Sequence, residues 1–584
     1  MAIRGSALAV CGVLAISAAC GSPAPTPAAD ASVQGNLDWF VERAAASGLA
    51  FVHFNGMSGE FYYPEMFAPG VGLIDVDNDG DLDVYVTQGQ MLGPGKTIAD
   101  AVFPPKGTLR DRLFRNDLTI GSDGTPTLRF TDITDASGID IRTFGMGVAA
   151  GDFNNDGWVD IYRTGTERGV LLRNNGNGTF SDVTAATATA NAGSWSVSAA
   201  FVDYDRDDWL DLFIGNYVDY RIERDVDCLS VSGQRDYCPP QKYPAQVDRL
   251  YRNRGDGTFE DVTKRALTGG AYGPALGVSS ADFNGDGWLD IYVGNDGTPN
   301  QLWINQRDGT FTDLAFVSGA AVNGAGAAEA SMGVDAGDFD NDGDEDLFIT
   351  NWLSQMNILY TNTGGRVFQD RKAASGLGAP SLAKTGFATA WLDYDNDGWL
   401  DLLTANGSVS TIEAQARAKD PFPFRMTNQL YRNTGSGRFE DVSAQAGAPF
   451  QTLHVRRGAA FGDIDNDGDV DLVIGNDAGP LELLMNNVGN RSHWIGLRLV
   501  TADGKRDAIG SRVQIVKAGG STLWRRARAD GSYASANDPR VLAGLGADTR
   551  PPQVRVQWHD GTAEDFRDVP IDRWTTLRQK AGSR

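Results

Sequence analysis

Seven stretches of this chain place oxygen-bearing side chains at alternate positions within nine residues. They read DVDNDGDLD from Asp75, DFNNDGWVD from Asp152, DYDRDDWLD from Asp203, DFNGDGWLD from Asp282, DFDNDGDED from Asp338, DYDNDGWLD from Asp393 and DIDNDGDVD from Asp463. Positions one, three, five and nine can turn oxygens toward one centre. These are Asp75, Asp77, Asp79 and Asp83; Asp152, Asn154, Asp156 and Asp160; Asp203, Asp205, Asp207 and Asp211; and Asp282, Asn284, Asp286 and Asp290. The last three copies supply Asp338, Asp340, Asp342 and Asp346; Asp393, Asp395, Asp397 and Asp401; and Asp463, Asp465, Asp467 and Asp471. Position seven offers a backbone carbonyl, from Asp81, Trp158, Trp209, Trp288, Asp344, Trp399 and Asp469. Hard oxygen ligands in this number suit calcium, and carboxylates packed this closely repel one another unless a divalent cation lies between them. About seven calcium sites are expected.

An EF-hand needs flanking helices and a Glu at position twelve, where this chain has Val86, Arg163, Ile214, Val293, Ile349, Thr404 and Ile474. The flanks (LDVYVT, LDLFIG, LDIYVG) alternate with period two, so the loops are expected between strands. Position six is Gly in six copies, where a positive φ is expected, and Asp208 in the third. Calcium in such loops can be purely structural. The four tryptophans at position seven are read as packing between repeats rather than as a ligand-stacking row.

The elements that must position these loops recur as well. Each loop is followed by a strand-like L-x-x-N, at Leu113, Leu171, Leu250, Leu302, Leu359, Leu430 and Leu483. After the first six comes a strand opening on Phe130, Phe180, Phe259, Phe311, Phe368 or Phe439; the seventh lacks one downstream. Phe40 opens FVERAAASGL, which matches FTDITDASGI and FQDRKAASGL, so the N-terminal strand is expected to complete the last repeat. The fold class predicted is all-β: a closed seven-bladed β-propeller over residues 37–490 and a small β-sandwich-like domain over 491–584. In that domain Arg525, Arg526 and Arg528 form a basic patch, read as a solvated strand face, with recognition of an anionic glycan or of the propeller's own acidic face as the alternatives.

Residues 1–20 have the pattern of an export signal, with Arg4, an apolar run and small residues before Cys20. The segment resembles a bacterial lipoprotein signal in which Cys20 is lipidated, although Ser17 stands where that pattern usually has Leu. Residues 21–36, rich in Pro and Ala, read as a tether. Cys228 and Cys238 are an even pair within an insertion and are expected to form a disulfide. The formal charge of −25 argues against nucleic acid as a partner. His53 and Glu65, before the first loop, and Arg457 are candidates for a site other than the calcium loops; a buried hydrogen-bonded pair is the plainer reading of the first two.

The loops resemble the FG-GAP/VCBS repeats of integrin-like propellers, and DAIGSRVQIVKAGGSTLWRRARADGSYASANDPRVLAGLG from Asp507 resembles the ASPIC/UnbV domain. With EMFAPGVGLIDVDNDG, YCPP and RRGAAFGDIDNDGD, the whole is similar to the cartilage acidic protein 1 family and its bacterial relatives. The resemblance implies calcium binding and an extracellular or cell-envelope role. The expected function is a recognition or scaffold protein, exported and lipid-anchored or else secreted, presenting the propeller's loop face to an envelope polysaccharide or protein. The alternatives are a calcium-dependent polysaccharide lyase or hydrolase, or an accessory subunit of an exported complex. Only four histidines occur, and no nucleophile elbow, HExxH or Walker loop, which leaves little acid–base machinery.

Overall fold

The computed structural model describes residues 38–122, 125–230 and 232–583; the signal 1–20 with Cys20 and the tether 21–36 lie outside them. Each aspartate loop joins the first two strands of an antiparallel sheet. In the first sheet Val71–Ile74, Asp83–Val86, Arg112–Asn116 and Phe130–Asp132 pair in that order. The same order recurs in sheets whose first strands are Gly145–Gly151, Ser196–Val202, Ala275–Ala281, Val334–Gly337, Gly386–Leu392 and Arg456–Gly462. The last of these takes its fourth strand from the other end of the chain: Phe40–Glu42 pairs with Glu482–Asn486. Phe40 stands opposite Asn486 in the register that sets Phe130 against Asn116 and Phe439 against Asn433.

The first strands are buried along their whole lengths except at Phe461, and they neighbour one another in chain order. The circuit closes where Val71–Ile74 lies beside Arg456–Gly462. Apolar side chains fill the spaces between successive sheets, as where Phe283, Tyr292 and Ile304 meet Val334, Leu347 and Tyr360. The arrangement is all-β and propeller-like, with the sheet edges of the first strands turned inward where no other chain can pair with them.

Two further sheets form the C-terminal part. One orders Val541–Gly546, His493–Val500 and Trp574–Arg578; the other orders Thr522–Arg526, Arg512–Val516, Gln553–Gln557 and Ala563–Phe566. Ile495, Leu497, Val513, Ile515, Val556 and Trp558 share the core between them. This part is not a satellite, because the chain from Asp38 onward is one compact unit. Its segment 530–538 runs as a finger into the middle of the ring and touches every sheet. Ala536 exchanges backbone hydrogen bonds with Val71 and Leu73, and the Ala534 carbonyl accepts the Val148 N–H. The Ala534 N–H reaches Ser198 Oγ at 3.1 Å, and Asp530 accepts the Ser280 N–H and hydroxyl at 2.5 Å. The Ser532 carbonyl accepts the Val334 N–H, while its hydroxyl donates to the Ala459 carbonyl. Tyr533 packs edge-on against Phe387, with ring centroids 4.9 Å apart. Gly70 permits this approach: a Cβ there would lie 2.2 Å from the Ala534 carbonyl oxygen.

Candidate metal centres in the aspartate loops

Every loop is folded by its own acidic side chains. The first-position carboxylate accepts the N–H of position six at 2.7–3.2 Å, and position five accepts the N–H of position seven. The ninth-position Asp is buried, with one oxygen on the N–H of position two and the other on the N–H of the Asn that ends L-x-x-N, at 2.7–2.8 Å. Two residues per loop need a positive φ. Position six has φ from 87° to 100° at its glycines and 68° at Asp208; position four has φ from 55° to 70°. Asn fills position four in five loops, since its short amide tolerates the left-handed region; Arg206 and Gly285 are the exceptions.

In five of the loops the third position leaves an oxygen without a partner. Asp77 Oδ1, Asp205 Oδ1, Asn284 Oδ1, Asp340 Oδ1 and Asp465 Oδ1 are buried and accept no hydrogen bond. Beside them, burial pushes the first-position carboxyls up: Asp75 and Asp152 to about 6, Asp338 and Asp393 to about 7, and Asp463 to about 8. Burial drives the ninth-position acids well up too, against the two N–H groups that stabilise their charge. Desolvated, mutually repelling carboxylates with idle oxygens fit a bound divalent cation. The first, third and ninth carboxylates of the first, third, fifth and sixth loops lie close enough together to share one ion.

The loops also bond to one another. The amide of position four donates to the position-six carbonyl of the next loop: Asn78 to Gly157, Asn155 to Asp208, Asn341 to Gly398 and Asn396 to Gly468, at 2.8–3.3 Å. Arg206 does the same to Gly287, and Asn466 points to Gly80 at 3.5 Å. The step from Gly285, which has no side chain, is supplied by Arg512 of the C-terminal part, which donates to Gly343. A second circuit comes from the Asn that ends L-x-x-N. Its Nδ2 donates to the position-two carbonyl of the preceding loop at 2.7–3.0 Å, from Asn174 on Val76 round to Asn116 on Ile464. The signal was present in the sequence as an Asn that never varies among seven copies.

Several expectations are corrected here. Arg525, Arg526 and Arg528 are not a solvated face. Arg525 donates to the Gly398 carbonyl at 3.0 Å, Arg526 to the Ser280 carbonyl, and Arg528 pairs with the buried Asp335. With Arg506 on the Asp208 carbonyl and Arg540 on that of Gly80, they seat the C-terminal part on the loop face. The position-seven tryptophans do not chiefly bridge repeats: Trp158, Trp209 and Trp399 cover Gly176, Gly255 and Gly435 of their own sheets, while Trp288 lies under Arg206 of the neighbouring loop. Asp208 is matched by a partner, His559 Nε2 at 2.9 Å. In the same loop Arg252 sits on Asp205 and Asp207 at 2.6 and 2.7 Å, a built-in counter-charge.

His53, Glu65 and Arg457 are all buried but are not bonded to one another. His53 Nδ1 lies 3.4 Å from Asp477, Glu65 accepts the Tyr237 hydroxyl at 2.7 Å, and Arg457 donates to the carbonyls of Met66, Gly407 and Ser408 with its guanidinium over Phe387. The anticipated His53–Glu65 pair is thus absent, because Asp477 and Tyr237 stand nearer. Cys228 and Cys238 are disulfide-bonded and close the hairpin of Cys228–Leu229 with Arg235–Asp236.

The family model for the FG-GAP-like repeat matches residues 152–214, 225–293, 282–349, 338–404 and 422–474, and that for ASPIC and UnbV matches 501–584. The chain is 25% identical to human cartilage acidic protein 1 over 563 residues, covering 90% of this chain and 75% of that protein. The mouse protein of that name is 25% identical over 523 residues, covering 85% and 71%. Mouse integrin alpha-3 is 28% identical over 180 residues, 28% of this chain and 16% of that one. Among solved structures, an Agrocybe aegerita lectin that recognises non-reducing terminal N-acetylglucosamine is 16% identical with a TM-score of 0.35, covering 65% of this chain and 90% of that one. A Bacillus licheniformis rhamnogalacturonan lyase is 13% identical with a TM-score of 0.31, covering 88% and 91%. Repeats along the ring, the terminal domain seated on it and a likeness to cartilage acidic protein 1 over most of its length place this chain in the family of FG-GAP-like repeat proteins that carry an ASPIC and UnbV domain.

Proposed function

We propose that this chain is a calcium-binding recognition or scaffold protein of the cell envelope, a seven-bladed propeller with one calcium ion in each aspartate loop, exported and held to a membrane through Cys20. The observation that carries the reading is the set of buried third-position oxygens without partners, repeated beside desolvated first- and ninth-position carboxylates. The side chains at positions one, three, five and nine, with the carbonyl at seven, would hold the ion. Its charge would remove the repulsion that the loops carry alone, and the two circuits of amide hydrogen bonds would pass that order from loop to loop. The role we assign is binding. Since the C-terminal part is seated on the loop face, we place the ligand, an envelope polysaccharide or protein, on the opposite face.

Elemental analysis of dialysed protein is expected to return about seven calcium ions per chain, and chelation to lower the melting temperature. A metal-free protein that melts unchanged would refute the calcium reading. Residues 37–584, immobilised with calcium or with chelator, would then be offered envelope extracts and a glycan panel. Retention only with calcium supports recognition, and turnover of the retained ligand would make the protein an enzyme.

A further inference from the structure

Away from the loop face, the ring opens into a cavity of about 1070 Å³. Its lining comes from the starts of first strands and the ends of second strands, the sheet ends remote from the aspartate loops. Met66 and Phe67 precede Val71–Ile74, Met332 precedes Val334–Gly337, Phe387 lies in Gly386–Leu392, and Trp352 follows Asp346–Ile349. The floor is closed: Tyr533 of the finger packs on Phe387 and donates to the Phe67 carbonyl at 3.0 Å. The walls are extended by two insertions, the disulfide hairpin with Tyr237 and Cys238, and the segment 409–414. Asp236 joins these insertions by accepting the Thr411 N–H at 3.1 Å.

Two features of the cavity are not explained by the fold. Trp352, Leu229 and Leu453 line it while remaining 40%, 68% and 50% exposed, an apolar exposure that costs free energy in water and marks a surface which is covered in use. Lys384 also lines it and is half-buried, yet no carboxylate of the described residues lies within ion-pair distance. Its ammonium donates to Thr427 Oγ1 at 2.6 Å, and burial pulls its pKa down. The other charges are engaged. Arg425 is paired with Asp420, and Asp236 is held by backbone N–H groups. Asp296 accepts the Tyr217 hydroxyl at 2.6 Å. Glu413 Oε1 alone is buried without a partner and is free to accept from a donor.

We infer that this cavity binds an apolar molecule carrying one anionic group, with the rings and sulfur side chains around its body and Lys384 on the anion. The inference deepens the recognition reading and rests on it. An unpaired ammonium in apolar surroundings is poorly solvated, and an anion that arrives with its own apolar body restores the lost interaction without desolvating a second protein charge. A hydrogen-bond donor on the same molecule would meet Glu413.

The test uses two fluorescent probes of the same shape, with the calcium-loaded full-length chain. 8-Anilinonaphthalene-1-sulfonate carries the anion, and N-phenyl-1-naphthylamine does not. Wild-type protein is expected to bind the anionic probe at least tenfold tighter than the neutral one. Lys384→Met, which keeps the apolar stem, should abolish that preference and leave neutral-probe affinity unchanged. Ala383→Trp, at the exposed rim of the cavity, should weaken both probes. Equal affinities for the two probes in wild type, or binding of both undisturbed by Ala383→Trp, would overturn the assignment. Calcium content and melting temperature measured on the same samples separate this failure from failure of the calcium reading, because none of the substituted residues touches an aspartate loop.

Discussion

Asn305 shows what one side chain contributes. Its amide donates to the Tyr204 carbonyl of the loop before it at 2.8 Å and to Leu289 at 3.2 Å, its oxygen accepts the Arg307 N–H, and it is buried. Asn305→Ala would strand the buried carbonyls of Tyr204 and Leu289, a loss of about 2–3 kcal/mol, since a buried group left unsatisfied costs its desolvation. The measurement is the shift in denaturant midpoint at saturating calcium, and no shift would show that the circuit is ornamental. Glu65 makes a different kind of contribution. Burial raises its carboxyl from 4.5 to about 8, opposed by the Tyr237 hydroxyl. Folding therefore prefers the protonated acid. Its stabilising contribution is complete below pH 4.5, declines as the unfolded chain ionises first, and is gone above pH 8. Glu65→Gln cannot ionise, so its melting temperature relative to wild type should climb across that window and level off above it. A constant difference from pH 4 to pH 9 would mean that Glu65 titrates alike in the folded and unfolded chain and that burial does not raise its carboxyl.

At the level of the element, the nine-residue loop was the most legible part of the sequence. Alternate acids, Gly at six and period-two flanks each answer to a local rule, and the structure returns a hairpin loop with position six in the left-handed region. The exchange of Phe40–Glu42 into the last sheet was legible for the same reason, as a segment whose spacing matched internal copies. What could not be read was the second left-handed position, because Arg206 and Gly285 hide the Asn preference, and the direction in which each amide points, which only neighbouring loops decide. Gly285 offers a test. Its φ is 70°, nothing lies within 4 Å of a Cβ built there, and it is the one position four without a side chain to reach the next loop. Gly285→Asn should stabilise the protein by about 0.5–1 kcal/mol, through a less flexible unfolded chain and an amide placed as in the five loops that carry Asn there. Thermal melting of Gly285→Asn beside Gly285→Val separates these effects. Val, unsuited to positive φ, should destabilise, and a stabilising Val would contradict the assignment of strain to this position.

For the whole molecule, the ring and the C-terminal part look separable in the sequence and are not separable in space. Alternating strands after residue 491 carry the signature of an independent sandwich, and nothing local in DGSYASAN announces that it will thread a ring assembled hundreds of residues earlier. Contacts of such range leave no periodicity. The placing of the basic residues is hidden for the same reason, since Arg512, Arg525 and Arg540 each donate to a carbonyl of a loop far away in the sequence. Domains that merely touch unfold separately, whereas here the finger supplies hydrogen-bond partners to the first strands and the arginines bind the loops that calcium would order. Calorimetry of the calcium-loaded chain should therefore show one transition for both parts. Tyr533→Ala, which removes a fully buried ring from between Phe67 and Phe387, should lower that single transition by the equivalent of about 3–5 kcal/mol rather than split it. Two resolved transitions in the wild type, with Tyr533→Ala moving only one, would mean that the ring stands without its finger and that the C-terminal part is a lid laid on a finished propeller.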